Sequence, residues 1–143
     1  MAEFLATRTA DPLTLAVFLA GCVQLSVLSA SALVPSKLEW KGVFERLPTL
    51  HRQLYWTYGG YTAGAILAFG LMAAGLPGEL ASGTPLARAL CGYLCLFWLV
   101  RLLCAPWLAT GEYLTNAWFK AGYALLHLAF VLMTVTYGAA AVL

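Results

Sequence analysis

No aspartate, glutamate, lysine or arginine occurs between Asp11 and Lys37, and none occurs between Arg52 and Glu79. Uncharged runs of that length do not fit a soluble surface helix, which needs a polar face; a helix that crosses the hydrocarbon of a bilayer needs about 20 predominantly apolar residues. Two later runs have the same character. One extends from about Pro85 to Leu108 and is interrupted by Arg101; the other starts near Ala117 and continues past Lys120 to Leu143. The pattern predicts one all-α transmembrane domain over residues 1–143, with spans at about 12–34, 53–76, 85–108 and 117–142. Composition agrees, since 62% of residues are hydrophobic and 10% charged, against roughly 45–50% and about 25% in soluble domains.

Ala30-Ser31-Ala32 has the small-x-small form of a signal-peptidase site. A secretory leader, however, has a basic start and an apolar stretch of about 7–15 residues, whereas here Glu3 and Asp11 outweigh Arg8 and the stretch is longer. The first span is therefore expected to be retained. Lys37, Lys41, Arg46 and Arg52 fall between spans one and two, Lys120 and Arg101 lie toward the same side, and Arg8 and Arg88 lie on the other. The positive-inside rule then predicts a multi-pass protein of the cell inner membrane or its equivalent, with both termini on the non-cytoplasmic side.

The connections read as caps and turns. Ser36 and Glu39 have capping-box spacing, which predicts a short interfacial helix at about 37–47. Its apolar side is Leu38, Phe44 and Leu47, its basic side Lys37, Lys41 and Arg46, and Pro48 ends it. Pro77-Gly78 predicts a tight turn, Thr84-Pro85 a capped helix start, and Gly111 and Thr115 a similar break. Links this short predict that spans two, three and four pack as antiparallel neighbours in a four-helix up-down-up-down bundle.

Polar groups inside the spans are the candidate functional residues. Arg101 stays ionised, at a cost of about 2.5–3.5 kcal/mol at a span's centre, and requires an acceptor. It is expected about two turns, roughly 10 Å, from the inner end of its helix. Its acceptor is a lipid phosphate, an anionic ligand or an acid of another subunit, and Phe97 and Trp98 stand where they can cover the cation. On span four, Asn116, Lys120, Tyr123, His127 and Thr134 share one face; on span two, His51, Tyr55, Tyr58 and Thr62 form a similar stripe. Facing each other, the stripes would enclose a polar pocket open toward Arg101. Alternatively they bond helices together, at about 0.6 kcal/mol per contact. Thr57, Gly60, Gly64 and Ala68 form a small-xxx-small face for close packing against an internal helix or another polypeptide.

His51 and His127 are the only histidines. Their expected axial offset of about 15 Å speaks against a shared haem. Cys22, Cys91, Cys95 and Cys104 all fall in spans, where thiols behave as small apolar groups, and they imply neither a disulfide scaffold nor a zinc site. No phosphate loop, nucleophile elbow or hydrolytic acid pair is present, and no nucleic-acid partner is expected.

Glu45-Arg46 followed by His51-Arg52, with Ala89-Leu90-Cys91-Gly92 ahead of Arg101, resembles the small four-span glutathione-dependent (MAPEG-like) membrane enzymes of eicosanoid and detoxification metabolism. The resemblance covers two short stretches. It implies glutathione contacts for Arg46, His51 and Arg52, with Arg101 a candidate for stabilising the thiolate. The chain departs from that pattern at Pro48, at Gln53 where the family favours asparagine, and at Leu102-Leu103-Cys104 where a tyrosine is expected. The stretch from His51 to Gly60 also looks like one in uncharacterised bacterial four-span proteins.

Polar stripes, a glycine face and an unpaired arginine without a reaction centre make a non-catalytic accessory subunit or helper of a larger membrane complex the leading expectation. Its partners would be the lipid bilayer and other membrane subunits. The alternative is a small enzyme or carrier for a lipophilic anionic substrate, with glutathione as cofactor in its most concrete form. A proton or ion path is disfavoured by the lack of carboxylates inside the spans.

Overall fold

The computed structural model describes residues 11–31, 40–108, 110 and 116–143. Regular structure among them is helical: α1 Pro12–Ser31, α2 Trp40–Glu45, α3 Thr49–Gly75, α4 Pro77–Leu80, α5 Pro85–Cys104 followed by a 3-10 turn Ala105–Trp107, and α6 Ala117–Val142. Three are long and apolar enough to cross a membrane: α1, α5 with its 3-10 turn, and α6, with mean hydropathies of 2.0, 1.8 and 1.9. At 27 residues α3 is long enough as well, but its polar first turns and repeated glycines hold its hydropathy down.

Helix ends follow local chemistry. The Thr14 N–H and hydroxyl both donate to Asp11 Oδ2, at 3.1 and 3.3 Å, which caps α1 with an acid at its positive end. Pro48 takes an extended ψ of 142° and separates α2 from α3, as its sequence context predicts. The Pro77-Gly78 link is a single helical turn, α4, after which Gly83 adopts a left-handed φ of 69° and turns the chain into α5. Thr84 then accepts from the Ala87 N–H at 3.3 Å, with Pro85 following it. The expected capping box at Ser36 and Glu39, and the breaks at Gly111 and Thr115, lie outside the described residues.

The third run departs from the expected uniform helix to Leu108. Pro106 has no N–H to give, so α5 ends at Cys104 and tightens into the 3-10 turn. Arg101 therefore stands in the last α-helical turn, three residues from its end, and the 3-10 turn carries the span on to Trp107.

Helix neighbours also differ from expectation. α1 packs against both α3 and α6, and α6 against α5; α3 meets α5 through the rings of Phe69 and Tyr93, 5.6 Å apart. A short link keeps helix ends close, but side-chain size decides which faces close up. A Cβ on Gly21 would sit 2.6 Å from the Ala74 nitrogen and 2.9 Å from the Ala73 carbonyl carbon, so α1 and α3 touch backbone to backbone. A Cβ on Gly70 would lie 2.8 Å from Leu25 Cδ2. Together these contacts run the two helices in opposite directions. On the other pair, Arg88 bonds to Leu143, Cys95 touches Gly138 and Arg101 covers Phe130, again an opposed register. Val17, Ala73, Leu94, Trp98, Met133 and Tyr137 fill the core between the four long helices.

Candidate functional site

The centre of the core holds one amide. Gln24 is the sole amide of α1, which holds no Asp, Glu, His, Lys or Arg, and in an apolar surround its polar atoms must be matched. Its Nε2 donates to the Ile66 carbonyl of α3 at 2.8 Å, while Oε1 accepts from Trp98 Nε1–H of α5 at 3.2 Å and from the Tyr137 hydroxyl of α6 at 3.1 Å. Gln24, Trp98 and Tyr137 are all almost wholly buried. One residue thus ties all four long helices together. Beside it the Cys91 thiol donates to the Leu80 carbonyl at 3.5 Å. Among the described residues no buried polar side-chain atom lacks a partner, and no group of three His, Cys, Asp or Glu stands close enough to hold a metal ion. The cluster joins four helices through three hydrogen bonds, so it fastens the bundle at its centre.

Gln24 was not among the expected site residues. The signal was available: a lone amide midway along an uncharged span has to find partners in the fold.

A second cluster surrounds Arg101 at the end of α5. Its guanidinium carbon lies over the Phe130 ring, 5.5 Å from the centroid, and Phe130 in turn stacks on Trp98 at 5.3 Å and 24°. The aromatic face comes from α6; the expected cover by Phe97 and Trp98 is indirect, Phe97 meeting Trp98 edge-on at 5.2 Å. Arg101 is exposed, and among the described residues no hydrogen bond or ion pair reaches it.

The His127 ring packs 4.1 Å from that of Tyr123 and 6.1 Å from that of Phe130. His127 Nδ1 lies 2.8 Å from the Tyr123 carbonyl, which only accepts, so Nδ1 is the donor of that bond. Lys120 is exposed one turn earlier. On α3, His51, Tyr55, Tyr58 and Thr62 are exposed and Arg52 is half-buried. Tyr55 lies against Phe44 of α2, with ring centroids 4.7 Å apart. Thr62 donates to its own helix at Tyr58, and Thr134 likewise at Phe130.

The pocket expected between the stripes of spans two and four is therefore not formed. α1 stands against both helices, and the Thr62 and Thr134 hydroxyls find acceptors one turn back on their own helices. Gly60 and Gly64 are exposed too, with nothing within 4 Å of an added Cβ. The glycines that take close contacts within the chain are Gly21, Gly70 and Gly138.

No family model, curated protein or solved structure matches the chain.

Proposed function

We propose that the chain is a non-catalytic accessory subunit or helper of a larger membrane complex. In this reading α3 is a fourth crossing, and the long helices form an up-down-up-down bundle in the cell inner membrane with both termini outside. One observation supports the partner reading above the others. Every residue from Gln53 to Gly64 is exposed, and among the described residues nothing lies within 4 Å of a Cβ added at Gly59, Gly60 or Gly64. A small-residue face lets a second helix approach closely, and this chain makes its own close approaches elsewhere.

Purification in mild detergent should recover a membrane partner in fixed proportion, and Gly60→Leu with Gly64→Leu should release it while the chain stays folded. Recovery only as a monomer or homo-oligomer, at expression levels matched to the native ones, would sink the reading.

A carrier or enzyme for a lipophilic anion is the second reading, favoured by an exposed Arg101 with no carboxylate bonded to it among the described residues. Its glutathione form assigns Arg46, His51 and Arg52 to the cofactor, and Pro48 puts Arg46 outside the helix that carries the other two. Glutathione binding that is lost on Arg52→Ala supports this form, and no binding removes it.

A further inference from the structure

We propose that Arg101 anchors the phosphodiester of an anionic phospholipid from the inner leaflet, with Phe130 as the wall behind the guanidinium. The inference rests on the membrane placement above and not on the accessory role. A guanidinium presents five N–H donors in its plane. Phe130 covers a face of the cation and satisfies none of them, so acceptors must come from outside the described residues. The planar fork suits two oxygens of one phosphate, and a weakly hydrated cation on an aromatic face loses less on leaving water than an ammonium does.

Helix register gives the depth. Asp11, Glu79, Arg88 and Leu143 mark one end of the fold. From there about 30 Å of hydrocarbon is ~20 residues of helix, which reaches Ser31 on α1, Leu108 after α5 and Tyr123 on α6. Exposed aromatics cluster at that level, as they do at membrane interfaces: Trp107 is 90% exposed, Trp118 87% and Tyr61 75%. Arg101 lies one to two turns inside, within snorkelling reach of the headgroups. The same end carries Arg46, Arg52 and Lys120 against Glu45 among the described acids, which favours anionic over zwitterionic lipid.

A free phosphate ion offers the same chemistry, so the test separates the two sources. The full chain is reconstituted in phosphatidylcholine bilayers, and the motionally restricted fraction of spin-labelled phosphatidylglycerol is compared with that of spin-labelled phosphatidylcholine. A restricted phosphatidylcholine population reports that the chain sits in the bilayer at all, whatever the selectivity. The expected result is about fivefold selectivity for phosphatidylglycerol, mostly lost in Arg101→Gln, partly kept in Arg101→Lys and lowered far less in Arg52→Gln. Equal restriction of the two lipids in the native chain overturns the proposal, as does selectivity that survives Arg101→Gln. Millimolar inorganic phosphate abolishing the selectivity at constant ionic strength also overturns it in favour of an aqueous anion.

Discussion

Gln24 decides more of this fold than any charged residue. Replacing it with leucine keeps the volume but strands the Trp98 N–H and the Tyr137 hydroxyl, and orphaned buried donors cost about 1–3 kcal/mol. Removing only the Tyr137 hydroxyl leaves Gln24 Oε1 still paired with Trp98, a loss nearer the ~0.6 kcal/mol average for a hydrogen bond between membrane helices. Unfolding in mixed detergent should therefore rank Gln24→Leu well below Tyr137→Phe in stability, and equal losses would show that the three groups do not share one acceptor. Gly21 and Gly70 provide a sharper contrast. At Gly21 an added methyl meets backbone, which cannot move aside, whereas at Gly70 it meets the tip of Leu25, which can. Gly21→Ala should cost about 1–3 kcal/mol, and Gly70→Ala clearly less, by the same unfolding measurement. Local sequence did not reveal these roles, because the partners of Gln24 lie 42, 74 and 113 residues away.

At the scale of helices, boundaries were more legible than neighbours. Pro48, Thr84-Pro85 and the start of α6 act where the sequence puts them, since caps and missing N–H groups work through atoms a few residues apart. Thr84→Ala should lower stability by about 1 kcal/mol, read as a lower midpoint in the same detergent titration. Which helices embrace depends on matched small surfaces far apart in sequence, and two glycine faces on α3 read alike in a linear text. Only one of them, at Gly70, lies against α1. Gly64→Leu should accordingly leave the unfolding midpoint within about 0.5 kcal/mol of the native chain; a large drop would mean that this face packs within the chain after all.

For the whole molecule, charge separates the two ends. Arg46, Arg52 and Lys120 stand at one and Asp11, Glu79 and Arg88 at the other. With the native cysteines replaced, Ser82→Cys should react with a membrane-impermeant maleimide in intact cells, and Glu45→Cys only after permeabilisation. The reverse pattern would invert the bundle and move the Arg101 end to the outer leaflet. Membrane residence was legible from four uncharged or nearly uncharged runs alone. What covers the outward faces was not, because glycine and arginine facing outward look the same whether lipid or protein covers them.

The fastening at Gln24 also has a consequence in time. Ribosomes deliver α1 before α3, α5 and α6, so a nascent chain carries an incompletely matched amide until Tyr137 has been made. Stalled or truncated products keep that amide open to insertases and quality-control proteases. Arrival of α6 closes the ring, so the four long helices lock together only once its Tyr137 reaches Gln24.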